Sequence, residues 1–183
     1  LAACAWLAIA SCSRAHPGPA VPGAIREVEF SGMCDASAAV PLSARRFAVA
    51  DDEGNVLRVY DADRGGPPLW SVELSEGLDL PQEIEKKNPS RRPPRAPELD
   101  LEAATRVGDH AFWLTSHARS RSGKRKPERQ RFFATPLPRE GAEAPLIGRA
   151  YESLVVDLAA DPRFAAFDLE QAAERGPREP GGL

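Results

Sequence analysis

The length and composition of the sequence are those of one domain of ordinary size. It has 183 residues, of which 42% are hydrophobic and 28% charged, with 18 Pro and 3 Cys. These proportions exclude a collagen, a disulfide-rich scaffold and a machine of several domains. The formal net charge of −3 and the pI near 5.7 argue against a dedicated nucleic-acid-binding domain, because such domains usually carry an overall basic excess.

The first 24 residues have the pattern of an export signal followed by a linker. Residues 1–10 are apolar, and no charged residue comes before Arg14. This run is too short for a membrane-spanning helix, which needs about 20 residues, but it matches the apolar region of a secretory signal. A buried N-terminal helix is the alternative. We expect residues 1–24 to be the signal and linker, and residues 25–183 to be the N-terminal part of a truncated domain.

Two short stretches that end at Cys4 and Cys12 resemble the lipobox of bacterial lipoproteins, in which a small-residue site precedes a cysteine that becomes diacylated. Cys12 is the preferred lipidation site, because the eleven residues before it fall within the usual range of about 7–15. Cleavage before Cys4, or an ordinary signal-peptidase site at residues 8–10, are the alternatives. A lipidated Cys12 predicts a membrane tether and an exported protein, either periplasmic or anchored to the membrane as a lipoprotein.

Alternating apolar and polar residues predict a series of β-strands in the first half of the domain. The predicted strands are residues 25–30, 46–51, 56–61 and 68–74. Between the second and third strands, Gly54 and Asn55 can take the positive φ that a tight hairpin requires. The polar, Pro-rich residues 75–97 are predicted to form a solvent-exposed connection.

The second half repeats this pattern. Strands are predicted at residues 111–116 and 131–136, on either side of a basic loop at residues 117–130. An acidic residue followed by a short strand occurs twice, at Asp35 and at Glu102, and an apolar strand follows each. Units of three or four short strands are typical of β-propeller blades, which cannot bury both faces alone. The sequence therefore predicts a mainly β fold of antiparallel hairpins, arranged as the blades of a partial propeller-like repeat domain.

Short helices are predicted near the C-terminus. Residues 151–160 have apolar side chains at helical spacing. Asp161 followed by Pro162 predicts an N-cap with Pro at the first helical position. Asp168, with Gln171 three positions later, resembles a capping box.

Four segments occur in order along the chain: GMCDASAAVPL, RRFAVADDEGNVLRVYD, DLEAATRVGDHAFWLTSH and PERQRFFATPL. With these segments the chain resembles a bacterial family of domains of unknown function, family 3616, from about Val28 to the end. The resemblance implies that the chain is the N-terminal fragment of a propeller-like domain. The family has no assigned catalytic residues to carry over, so the resemblance implies an architecture and no reaction.

Several carboxylates are candidate ligands for a cation or a polar molecule. Asp35 and Glu102 come at the start of the innermost predicted strand of each unit, and that end of a propeller blade commonly points toward the central channel. The alternative is that each accepts backbone N–H bonds at a corner of the blade. Asp51 and Asp52 add oxygen atoms at the hairpin turn, without the spacing of an EF-hand loop. A solvated hairpin tip is the alternative for this pair.

His117 is the candidate general base, since an unperturbed imidazole titrates near neutral pH. A nucleophile pair of Cys34 and His117 is conceivable, but no local signature supports it. A lone cysteine such as Cys34 is more often a small buried hydrophobe. The sequence contains no nucleophile elbow, P-loop, His-Glu-x-x-His motif or Cys-x-x-Cys pair, so it indicates no enzyme class and no cofactor.

The basic loop gives two alternatives of its own. Residues 119–131 contain seven Lys or Arg and one Glu. Phosphate binding is one interpretation, and a solvated loop that faces anionic lipid headgroups beside a tethered protein is the other. No aromatic side chain in the loop could stack on bases, so we expect no nucleic-acid partner.

Together these observations predict an exported, lipid-anchored protein that binds a ligand or acts as a scaffold through a propeller-like domain. The alternative is a metal-dependent propeller hydrolase of phosphoesters or carboxyl esters, with Asp35 and Glu102 among its carboxylates.

Overall fold

The computed structural model describes residues 25–51, 54–75, 77–78, 80, 96–143, 145–176 and 180. The fold is mainly β, with two antiparallel sheets and a few short helices near the C-terminus, as predicted. The strands are β1 (Ala36–Pro41), β2 (Arg46–Asp51), β3 (Gly54–Asp61), β4 (Trp70–Glu73), β5 (Leu101–Val107), β6 (His110–Thr115) and β7 (Phe132–Pro136). The α-helices are α1 (Leu154–Ala160) and α2 (Leu169–Glu174), and 3-10 turns lie at Pro127–Arg129 and Pro162–Phe167.

The first sheet is a meander in the order β1-β2-β3-β4, with each neighbouring pair antiparallel. The predicted hairpin between β2 and β3 is confirmed, but its predicted backbone is wrong at two residues. Gly54 and Asn55 belong to β3, and neither has a positive φ. Residues 52–53, between the two strands, lie outside the described residues.

The second sheet has the order β5-β6-β7, and the predicted strands 111–116 and 131–136 are confirmed within one residue. A tight turn at Gly108, with φ of 60°, joins β5 to β6. The chain after β7 returns along the outer edge of that strand: Tyr151 N donates to Phe132 O at 2.7 Å and Ile147 N to Ala134 O at 2.8 Å. These bonds satisfy part of the β7 edge, which would otherwise stay open to other strands.

The first strands of the two sheets, β1 and β5, lie side by side. Asn55, at the start of β3, holds residues 97–99, which lead into β5. Arg106, near the end of β5, donates from Nη1 to Leu42 O at 2.9 Å, beside the end of β1. The two strands therefore run in the same direction. We call the end at which β1, β3 and β5 begin the shared end of the two sheets.

One hydrophobic core lies across both sheets. Its largest fully buried side chains are Val40, Leu57, Val59, Leu74, Leu99, Leu101 and Trp113. Full burial of one such aliphatic side chain stabilises a fold by about 1.5–3 kcal/mol. Trp113 satisfies its only polar atom by donating from Nε1 to Thr135 Oγ1 at 3.1 Å. Because both sheets contribute to this core, neither buries its inner face alone.

The predicted strand at residues 25–30 is wrong. Only Phe30 makes a bridge, to Gly66, and Ile25 is 99% exposed. The segment instead follows the turn at residues 65–66, where Gly66 N donates to Glu29 O at 2.8 Å. Both glycines of that turn have positive φ. Strand residues have negative φ, so strand pairing does not extend through the turn. The Phe30 ring packs edge-on against Tyr60, with 5.3 Å between ring centroids.

The predicted solvent-exposed connection at residues 75–97 is wrong at both of its ends. Leu78, Leu80 and Pro97 are buried, because the two leucines cover the core beside the sheets. Residues 81–95 lie outside the described residues.

The helices differ from the prediction in one detail. Asp161 caps the turn at Pro162–Phe167 by accepting from Arg163 N at 2.9 Å, which confirms the predicted N-cap. The predicted capping box is wrong, because Asp168 has φ of 49° and its side chain makes no capping hydrogen bond. Among the described residues, no helix combines the length and apolar character that crossing a membrane requires.

Gly65 offers a test of the contact between residues 25–32 and the first sheet. Its φ is +66°, and an added Cβ would lie 2.7 Å from Glu29 O. We expect Gly65→Ala to lower the free energy of unfolding by about 2–4 kcal/mol, measured by urea denaturation. Gly66→Ala is the matched control, since Gly66 has φ of +77° but nothing within 4 Å of an added Cβ. It should cost only about 1–2 kcal/mol, and equal losses for both variants would contradict the contact.

Candidate functional site

Four of the candidate residues lie at the shared end of the two sheets. Asp35 comes directly before β1, Asp51 ends β2, Glu102 is the second residue of β5, and His117 follows β6. The side chains nevertheless do not assemble into a metal centre: in the described part of the chain, no three His, Cys, Asp or Glu residues form a group that could hold a metal ion. Two further candidates, Asp52 and Cys12, lie outside the described residues.

The two sheets begin with the same irregular pairing. In the first, Ala36 pairs with Asp51 and Ala38 with Ala50, so that Ser37 forms a bulge. In the second, Leu101 pairs with Thr115 and Ala103 with Leu114, so that Glu102 forms the bulge. The residue equivalent to Glu102 is therefore Ser37. The sequence analysis had aligned Asp35 with Glu102 because both are acidic, but the two residues occupy different positions in their ladders. The residue equivalent to Asp35 is Asp100.

Among the candidate carboxylates that the structure describes, Asp51 is the most buried, with 5% of its surface exposed. Its Oδ2 lies 3.3 Å from Arg58 Nη1, across the β2–β3 hairpin. A buried carboxylate is stable when a cation neutralises it, and removing either partner leaves the other charge uncompensated. The contact assigns Asp51 a structural role in the hairpin.

Cys34 and Asp35 are exposed, and so is Glu102. The prediction that Cys34 is a small buried hydrophobe is therefore wrong. The reason is positional: Cys34 lies before the first ladder pair of β1, where the chain has not yet entered the sheet. These side chains form an exposed polar rim, which we define as Cys34, Asp35 and Glu102.

A polar network behind this rim was missed by the sequence analysis. Asp100 Oδ2 accepts from Ser116 Oγ at 2.6 Å and lies 2.6 Å from Arg129 Nη1. Asp100 has φ of 59°, and its carbonyl oxygen accepts from Ser116 N at 2.8 Å. Aspartate tolerates this left-handed conformation better than most residues. No local motif signals the network, since its members come from three separate segments.

His117 lies next to this network, with 5% of its surface exposed and φ of 57°. Its backbone N–H donates to Arg129 O, and its Nδ1 is 2.8 Å from Thr115 O. Because a carbonyl oxygen only accepts, Nδ1 is the donor in this contact. Nε2 is buried and has no hydrogen-bond partner among the described residues.

This geometry limits what His117 can do chemically. A general base must come within hydrogen-bond reach of its substrate, and the ring of His117 is enclosed by protein. Since Nδ1 bonds Thr115 and Nε2 has no described partner, no hydrogen bond joins the ring to Cys34. The Cys34–His117 nucleophile pair is therefore not assembled in this structure.

Asn55 is the second residue that the sequence analysis missed, because the pattern assigned it to a turn. Its side chain is buried and spans two segments: Nδ2 donates to Pro97 O at 2.9 Å and to Ser75 Oγ at 3.1 Å, while Oδ1 accepts from Leu99 N at 2.9 Å. Its own carbonyl oxygen accepts from Leu74 N. One side chain thus positions the chain that enters β5 at the shared end.

Comparisons with known proteins add no family to these observations. No family model matches the chain, and no curated protein matches it. The resemblance to family 3616 remains a prediction from the four sequence segments, so the site is interpreted from its own geometry.

Substitution of Asn55 tests its place in the structure. Asn55→Leu leaves Pro97 O and Leu99 N buried without partners, at a cost of about 1–3 kcal/mol for each group. We expect the free energy of unfolding in urea to fall by about 2–5 kcal/mol. Ser75→Ala, which removes the third contact and an exposed hydrogen bond from Ser75 Oγ to Glu73 Oε1, should cost less than about 1 kcal/mol. A loss as small for Asn55→Leu as for Ser75→Ala would contradict this role.

Proposed function

We propose that the chain is part of an exported, membrane-tethered protein that binds a ligand or acts as a scaffold through a propeller-like repeat domain. The observation that carries the proposal is the contrast between buried and exposed polar side chains at the shared end. The most buried carboxylate there is neutralised inside the protein, whereas the rim of Cys34, Asp35 and Glu102 is exposed to solvent.

The buried and half-buried polar groups at this end support a structural role rather than a reactive one. Asp51 pairs with Arg58, Asp100 pairs with Arg129, and the Asn55 side chain is used by three partners. An active site usually holds a titratable group in a cleft, where a substrate can reach it. A rim of exposed polar side chains on a rigid base is better suited to contacting a protein or a polar small molecule.

The arrangement of the two sheets supports the repeat. Each sheet starts with a bulged strand at the shared end, and β1 and β5 run side by side in the same direction. Successive blades of a propeller present their first strands in this way. The proposed domain is therefore one in which further units of the same kind complete the burial of the sheet faces.

The membrane tether rests on residues 1–24 and on Cys12 in particular. When the chain is produced in a Gram-negative bacterium, we expect it to partition into the detergent phase, because two acyl chains anchor a protein stably to a bilayer. The Cys12→Ser variant should stay in the aqueous phase with altered gel mobility, and Cys4→Ser is the matched control. A parent protein that stays aqueous would contradict the tether, and loss of partitioning in Cys4→Ser alone would assign the lipid to Cys4.

An activity screen separates binding from the alternative of a metal-dependent hydrolase. We expect the purified chain to turn over neither phosphoesters nor carboxyl esters in the presence of divalent cations, because the described carboxylates do not form a metal-holding group. Turnover that a chelator abolishes, and that Asp35→Asn combined with Glu102→Gln also abolishes, would establish the hydrolase. The melting temperature of the double variant serves as the control for folding.

A further inference from the structure

The structure divides the basic loop between β6 and β7 into a neutralised base and an exposed tip. The cations of the base each lie beside an acid. The pairs are Arg119 with Glu174, Lys126 with Glu128 at 3.1 Å, Arg129 with Asp100 at 2.6 Å, and Arg131 with Glu152 at 3.7 Å. The sequence alone does not distinguish the paired cations of this loop from those that make no ion pair with a described residue.

The tip, which we define as residues 121–125, carries the remaining cations of the loop. Arg121, Lys124 and Arg125 are exposed, and none makes an ion pair with a residue that the structure describes. Arg125 donates to the neutral side chain of Gln130, at 3.1 Å from Nη2. Three positive charges therefore stand together in five residues, on a chain whose net charge is −3.

The backbone of the tip is held in one conformation by its own hydrogen bonds. Ser120 N donates to Lys124 O at 2.9 Å, and Gly123 N donates to Ser120 O at 2.8 Å. Lys124 N donates to Ser120 Oγ at 3.1 Å. Gly123 has φ of 76°, which glycine adopts without strain. A preformed turn loses little conformational entropy when it binds.

The base attaches this turn to two parts of the fold. Arg119 pairs with Glu174 of α2, and its Nη1 donates to Gly123 O at 3.1 Å. Arg129, on the returning side of the loop, pairs with Asp100 beside β5. The tip is therefore presented outward from a fixed base.

We propose that residues 121–125 dock the protein onto the anionic surface of a lipid bilayer. The tip has the charge that lipid phosphates attract, and its cations are separated only by Ser122 and Gly123, so no apolar side chain needs to enter the bilayer. Screening limits the attraction to about 8–10 Å at ordinary ionic strength, which suits a short tip that protrudes from an acidic protein. The proposal rests on the proposed tether for its setting, because a tether raises the local concentration of the tip at the membrane.

A bilayer fits these observations better than a nucleic acid does. The tip has no aromatic side chain on which a base could stack. It also has no helix or strand that could enter a groove, since the described backbone of residues 121–125 is a turn and its flanking loop.

Vesicle binding tests the proposal on the full chain carrying both Cys12→Ser and Cys4→Ser, so that neither candidate cysteine carries a lipid anchor. The quantity measured by sedimentation is the ratio of binding to mixed phosphatidylcholine–phosphatidylglycerol vesicles over binding to phosphatidylcholine vesicles. This ratio removes any apolar contribution from residues 1–10 that is common to both. Each cation near an anionic bilayer contributes about fivefold in affinity. We therefore expect Arg121→Gln, Lys124→Gln and Arg125→Gln together to lower the ratio about 100-fold, and high salt to do the same.

The matched control removes the same charge elsewhere. Arg64, Arg139 and Arg149 are exposed in the structure, and replacing all three with Gln should leave most of the ratio intact. Equal loss in both triple variants, no preference for anionic vesicles, or tighter tip-dependent binding to an oligonucleotide would each overturn the proposal. Since the assayed chain cannot be lipidated at Cys12 or at Cys4, the outcome is independent of whether the tether exists.

Discussion

The side-chain amide of Asn55 is the interaction on which the arrangement of the two sheets depends. It binds the backbone of Pro97 and Leu99 from the start of β3, so that the chain enters β5 next to the first sheet. Arg106 makes the corresponding contact at the other end of β5, with the carbonyl oxygens of Pro41 and Leu42. Between these two contacts β5 lies along β1, and Trp113 can be enclosed by residues of both sheets. A buried amide with every partner in place restricts the fold to one arrangement, because any shift leaves polar groups unsatisfied.

The polar groups at the shared end form two layers with different consequences. The inner layer, Asp51, Asn55 and Asp100, is occupied by contacts within the protein. The outer layer is the exposed rim, which is the part that a partner can reach. The inner layer also contacts the basic loop, because Asp100 pairs with Arg129 on one side of the loop. On the other side of the loop, Arg119 pairs with Glu174 of α2. The position of the loop tip thus depends on these two ion pairs.

The errors of the sequence analysis have a common physical origin. Asp35 and Glu102 were matched because both are acidic, but ladder pairing aligns Glu102 with Ser37. Asp168 has the spacing of a capping box, yet its left-handed backbone removes the capping geometry. In each case the prediction used the type of residue, and the error lay in its backbone position or conformation. Both are set by packing against distant segments.

Local patterns in the sequence were enough to predict the class of fold and most of its elements. The β2–β3 hairpin, the strands of the second sheet and the Asp161 cap follow from alternation and capping chemistry, which act between residues a few positions apart. Which side chains contact one another depends on the tertiary structure. Asn55 with Leu99 and Arg129 with Asp100 join segments far apart in the chain. Such pairs leave no periodic signal, because they depend on how the sheets pack and not on the local sequence.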